Sequence, residues 1–140
     1  MKTKQYLEET RILDFSNSKI QTLIAERNWN ELNEKRKIKS IYTFVRDEIL
    51  FGYNRDDNIP ASQVLRKGYG QCNTKSNLLM ALLRGVGIPC RFHGFTVDKR
   101  MQKGAVSGLW YKVAPEDIIH SWVEVYYKGE WLNLEGIILD

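Results

Sequence analysis

The sequence predicts an α+β fold, and three observations predict it. Apolar residues recur at helical spacing through the first half of the chain, a leucine-rich helix in the middle leads through Gly87-Ile88-Pro89 into a strand, and two strand-forming runs near the C-terminus are joined by Lys128-Gly129. Helices followed by paired strands, within 140 residues that are 43% hydrophobic and 27% charged, describe a single domain over residues 1–140 with a sizeable core.

Each element has its own signal. Asn17 or Ser18 can cap a first helix through Ile20, Leu23 and Ile24, and Asn33 a longer one through Ile38, Ile41, Tyr42, Val45 and Ile49. The run Glu34-Lys35-Arg36-Lys37 with Lys39 is then the solvated face of that second helix. Residues 51–60, with Gly52, Asn54, Asp56, Asp57, Asn58 and Pro60, read as a turn-rich loop, and Ala61 to Gly68 as a short helix. The next helix starts at about Cys72, carries Leu78, Leu79, Leu82 and Leu83 at helical spacing, and has Arg84 in its last turn with Gly85 suited to its C-cap. Pro89 pushes the preceding residue to an extended conformation, so Cys90 to Val97 reads as a strand. Asp98 to Asp117 is a long connection without strong periodicity, a kind of segment that is often functional or mobile. Ile118 to Tyr127 and Glu130 to about Ile137 form a hairpin around Lys128-Gly129.

The chemistry concentrates where Gly68-Tyr69-Gly70-Gln71 runs into Cys72. A helix N-terminus leaves backbone N–H groups unpaired and carries partial positive charge, which favours thiolate over thiol and can hold a developing oxyanion. Steps of three and four from Cys72 through Ser76, Leu79 and Leu83 stay on one face, so the sulfur looks inward. Most free cysteines are merely small buried hydrophobes, and Cys90 in its strand fits that description better than it fits a second nucleophile or a disulfide partner. The hairpin supplies a partner for Cys72. A two-residue loop sets Tyr127 opposite Glu130, Trp122 opposite Glu135 and His120 opposite Ile137, so that His120, Trp122 and Glu135 share a face. Diagonal neighbours in such a pair are roughly 7–8 Å apart, within reach of a glutamate and an imidazole. Asn133 faces the same way but farther from His120, whereas Asp140 falls on the opposite face. His93 has no acid in its own strand and reads as structural.

The segments Gly70-Gln71-Cys72, Leu82 to Arg91, His120-Ser121-Trp122-Val123-Glu124-Val125 and Gly129 to Glu135 together resemble the transglutaminase-like superfamily, bacterial type, in the order cysteine, histidine, acid. The resemblance covers roughly the second half of the chain. It implies a papain-like core, in which the nucleophile-bearing helix packs on an antiparallel sheet, and thiol acyl chemistry by Cys72, His120 and Glu135. One departure is that the family usually has aspartate four residues after the tryptophan, where this chain has Glu135 after Trp131. In that arrangement the 98–117 connection would emerge near the cysteine and histidine. Trp110 and Tyr111 then either line the substrate cleft, with Trp122, or plug the edge of the core, and Tyr53 is the candidate second oxyanion donor. The expected activity is attack on an amide, a peptide bond or a glutamine side chain, with hydrolysis favoured over transfer to an amine; a non-catalytic binding module of the same fold is the competing class.

Composition narrows the partners. A formal charge of +4, without aromatics interleaved among the lysines, does not make a nucleic-acid surface, and the expected partner is a peptide or protein substrate. No apolar run is long enough to span a bilayer, and the first ten residues lack a signal-peptide core, so the expected compartment is the cytosol, where a free thiol survives. Two cysteines and two histidines without metal-type spacing point to no metal and no cofactor, and the absence of paired zinc cysteines departs from the glycopeptide amidase branch of the superfamily.

Overall fold

A computed structural model describes residues 3–54, 56, 58–92 and 123–134. After a short 3-10 turn at Lys4–Leu7 come α1 (Ser18–Glu26), a second 3-10 turn at Trp29–Glu31, α2 (Glu34–Glu48), β1 (Leu50–Phe51), α3 (Ala61–Lys67), β2 (Tyr69–Gly70), α4 (Cys72–Gly85), β3 (Cys90–Phe92), β4 (Val123–Tyr127) and β5 (Glu130–Asn133). The fold is α+β, and the described residues include the four helices α1–α4 and a small antiparallel sheet of order β3-β4-β5.

The helix starts follow their caps. The Asn17 side chain accepts from the Lys19 N–H at 2.9 Å, and that of Asn33 from the Arg36 N–H at 2.9 Å. Each occupies one of the N–H groups that a helix start leaves without a carbonyl. On α2, Glu34, Lys35, Arg36 and Lys39 are exposed as expected, while Lys37 donates to the Val86 carbonyl at 3.0 Å, placing a cation at the C-terminal end of α4. α3 takes its cap from a distant segment. The Asp14 carboxylate accepts from the Ser62 N–H at 3.1 Å and from the Ser62 hydroxyl at 2.5 Å.

α4 is the centre of the molecule. Six consecutive residues, Leu78 to Leu83, are buried, which is more than the single inward face its spacing predicts. α1, α2, α3 and β3 all pack on α4, so positions outside its leucine stripe are covered too. Its ending also differs from expectation. Gly85 is the last helical residue, Val86 is the C-cap, and Gly87 takes the left-handed conformation at φ +88°. Gly85 serves packing: a Cβ there would stand 3.1 Å from Ile24 Cδ1 and 3.4 Å from Phe15 Cβ.

In the sheet, Cys90 pairs with Val125, Arg91 with Glu124, and Tyr127 with Glu130 across a turn in which Lys128 and Gly129 have φ of +54° and +85°. Two positive φ values make a two-residue turn whose twist matches the strands, and this is the register the sequence predicts for the described pairs. Cys90, Val123, Val125 and Leu134 point into the core. The opposite face carries Arg91, which is ion-paired to Glu124 at 2.8 Å and lies 4.0 Å from the Trp131 ring. Tyr6 meets that ring edge-on at 4.9 Å and so closes the N-terminal turn over the sheet.

Two sequence expectations need correction here. The last strand, expected to reach about Ile137, ends as β5 at Asn133, and Leu134 is helical; residues 135–137 lie outside the described residues. Asparagine is a poor strand former and a good residue before a helix, which gives the ladder a reason to stop there. The 51–60 segment is not wholly loop, because β1 pairs in parallel with β2, Leu50 against Tyr69 and Phe51 against Gly70. Two residues are too few to show an alternating pattern. Among the described residues no helix is long and apolar enough to cross a membrane.

Candidate active site

Cys72 is the first residue of α4, directly after its N-cap Gln71, and is half-buried. Its face of the helix continues inward through Ser76, Leu79 and Leu83, all buried, as the spacing predicts. The start of the helix is held by a capping box between Gln71 and Thr74, in which the Gln71 N–H donates to Thr74 Oγ1 at 3.0 Å. Sequence reasoning did not foresee the third member of this arrangement. Asn54, just beyond β1, donates its backbone N–H to Gln71 Oε1 at 2.6 Å, donates from Nδ2 to the Tyr69 carbonyl at 3.4 Å, and accepts the Thr74 hydroxyl at Oδ1. Gly70 makes room for it: a Cβ there would stand 2.6 Å from Thr74 Oγ1 and 3.2 Å from Asn54 Oδ1.

Lys75 lies one turn along the helix from Cys72. Burial pulls its ammonium below the ordinary lysine range, an effect opposed by the negative charge available at Cys72 and Asp47. The site therefore keeps a partly desolvated cation near the sulfur.

Cys90 is built differently. It is fully buried on β3, its Sγ lies 3.5 Å from the Met80 carbonyl, and burial, only partly offset by Arg84, pushes its thiol up to about 12. Neither cysteine is in a disulfide.

Contacts along α4 show how the sheet runs beside it. The Ile88 N–H donates to the Leu83 carbonyl at 2.9 Å, and Cys90 reaches back to Met80. β3 starts five residues after α4 ends, its first residue Cys90 lies against Met80 and Arg84, and its last, Phe92, pairs with Val123. Met80 is eight residues from Cys72, or about 12 Å along the axis.

Of the other residues singled out by the sequence, Tyr53 follows β1, 80% exposed, with its ring edge-on to Phe51 at 5.3 Å between centroids. Asn133 is exposed at the end of β5. His120, Glu135, Trp110, Tyr111, Trp122, His93 and Asp140 lie outside the described residues. Among the described residues, no three His, Cys, Asp or Glu side chains come together in a way that could hold a metal ion.

The model of the transglutaminase-like superfamily core matches residues 22–136. The chain belongs to this superfamily. Its fold resembles that of a Cytophaga hutchinsonii protein provisionally described as a cysteine protease, with a TM-score of 0.65 at 20% identity over 94% of this chain and 41% of that one. The chain is also 25% identical over 146 residues to the uncharacterized Bacillus subtilis (strain 168) protein YebA, covering 95% of this chain and 20% of YebA. This transglutaminase-like chain thus spans only a fifth of that relative. Within the superfamily match fall Cys72, which heads the central helix, and the β4–β5 hairpin.

Proposed function

We propose that this transglutaminase-like domain is a thiol enzyme that acts on an amide, either a peptide bond or a glutamine side chain, and releases the acyl group to water. The observation that carries the reading is the place of Cys72: first residue of the central helix, half-buried, beside a partly desolvated lysine, in a chain of this superfamily. In the proposed mechanism the Cys72 sulfur attacks the amide carbonyl carbon, His120 takes the thiol proton, and α4 N-terminal amides stabilise the oxyanion. As the C–N bond breaks, His120 passes that proton to the leaving amine and a thioester remains. Water, deprotonated by His120, then attacks the thioester, the C–S bond breaks, and the thiol is regenerated. Glu135 holds the imidazole in its working tautomer and stabilises the imidazolium.

The topology supports these roles. His120 precedes the start of β4 by three residues, and Glu135 follows the end of β5 by two. Glu124 pairs with Asn133, so the chain enters β4 and leaves β5 at the same end of the hairpin. Three residues of chain reach at most about 10 Å. Transfer to an amine would need a second cleft holding that amine in near-attack geometry, worth roughly 7–11 kcal/mol only where it is preorganised.

A glutamine-containing peptide library incubated with and without a primary amine tests the reading. The expected result is a Cys72 acyl adduct that turns over to the acid at a rate indifferent to millimolar amine. Amine incorporation outpacing hydrolysis would make the domain a transferase, and no adduct on Cys72 with any peptide or glutamine amide would favour a binding module.

A further inference from the structure

The nucleophile helix is not held by its own cap alone. Three bonds from one residue of a different segment hold its N-cap, its first turn and the strand before it: the Asn54 backbone N–H donates to Gln71 Oε1 at 2.6 Å, Asn54 Oδ1 accepts from the Thr74 hydroxyl, and Asn54 Nδ2 donates to the Tyr69 carbonyl at 3.4 Å. The Tyr69 carbonyl can only accept, so it fixes which way the Asn54 amide points: nitrogen toward Tyr69, oxygen toward Thr74. The Thr74 hydroxyl, fully buried, must then donate to Asn54, which leaves its oxygen free to accept the Gln71 N–H at 3.0 Å. The direction of the Thr74 hydroxyl, which also lies 3.2 Å from the Gln71 carbonyl, is thus set by the amide of Asn54, beside the residue that precedes Cys72. β1 brings Asn54 to this place by pairing with β2, whose last residue is Gly70.

We propose that Asn54 is a positioning residue for the nucleophile: it sets the geometry of the first turn of α4, and through it the reactivity of Cys72, without touching the substrate. The proposal rests on Cys72 being the nucleophile. An aspartate at position 54 keeps the shape and can still accept from Thr74. It cannot donate to the Tyr69 carbonyl, and it places a negative charge two hydrogen bonds from the N-cap, where a thiolate is disfavoured by like charge. An alanine removes both side-chain bonds.

The test is the pH dependence of iodoacetamide labelling at Cys72 in the full chain, alongside its thermal unfolding midpoint, for wild type, Asn54→Ala, Asn54→Asp, Thr74→Val and Thr74→Ser. Wild type should label faster at Cys72 than at Cys90. Asn54→Asp should raise the labelling midpoint by about one pH unit, a roughly tenfold lower thiolate fraction near neutrality. Asn54→Ala and Thr74→Val should slow labelling at neutral pH, and Thr74→Ser, which keeps the hydroxyl, should restore it. A midpoint that stays put in both Asn54 variants, whatever happens to the unfolding temperature, overturns the positioning role and leaves the nucleophile reading intact. Slow labelling of Cys72 in wild type removes the nucleophile reading, and the positioning role falls with it. Should Thr74→Val fail to fold, the Asn54 variants, which change a half-buried loop residue, still decide the question.

Discussion

The two cysteines sit at opposite ends of one structural unit, and nearly everything about their chemistry differs. Cys72 opens α4, half-buried in a turn rich in hydrogen-bond donors with Lys75 one turn away. Cys90 follows the same helix on β3, fully buried, with its thiol pushed up to about 12. A thiol buried in apolar surroundings stays protonated and inert, whereas one at a helix start gains from the field of the helix and from access to solvent. The contrast separates a residue suited to reaction from one suited to packing by their surroundings alone.

The largest expected effect comes from removing the first of the pair. Cys72→Ala should lower turnover, or fast labelling by an amide-derived electrophile, by at least about 10³-fold with little change in stability, as measured by single-turnover kinetics beside a urea titration. Cys90→Ala, in contrast, should leave labelling of Cys72 unchanged. A fast-labelling Cys90 in folded wild type would erase the comparison.

Next in size is the acid. Glu135→Ala should slow Cys72 labelling or turnover by about 10- to 100-fold and move the unfolding free energy by less than about 1 kcal/mol, while Asp140→Ala should do little to either. Equal effects from the two acids would transfer the orienting role away from Glu135. Asn133 would then be the next candidate.

For the buried member the readout is stability. Cys90→Ala should cost about 1–2 kcal/mol in a denaturant titration at pH 7, because the vacated volume is surrounded by core side chains that relax only in part. The same variant sharpens the comparison at alkaline pH. The folded chain holds the Cys90 thiol at about 12 against an ordinary 9.0, so folding favours the neutral form. That contribution is complete below pH about 9 and is lost as pH rises toward about 12, at up to about 1.4 kcal/mol per pH unit. Wild type should therefore lose stability more steeply than Cys90→Ala between pH 9 and 11. Parallel slopes would mean that burial does not perturb this thiol.

The smallest effect is expected at the C-terminal end of the helix. Gly87→Ala, at φ +88°, should cost about 1 kcal/mol in the same titration and leave Cys72 labelling untouched. A change in labelling would show that the two ends of α4 are coupled.

What the sequence determined by itself acts over a few residues. Asn17 and Asn33 start their helices by bonding to N–H groups two and three residues on, the Lys128-Gly129 turn sets Tyr127 against Glu130, and the 72-76-79-83 spacing turns Cys72 toward the core. Each is a local geometric constraint that the residue type itself imposes. The tertiary structure alone decided the rest. Asp14 caps α3 from 48 residues away, Asn54 braces Thr74 from 20 and Gln71 from 17, and β1 pairs with β2. Gly85 serves contact with Ile24 and Phe15 while Gly87 takes the turn. The extent of burial around α4 belongs here too, since a leucine spacing shows one inward face and cannot count how many neighbours will close over the others. Such contacts join segments far apart in the chain, so they leave no period and no neighbouring cap to read; they exist only once burial has brought the segments together, and the brace around Cys72 is one of them.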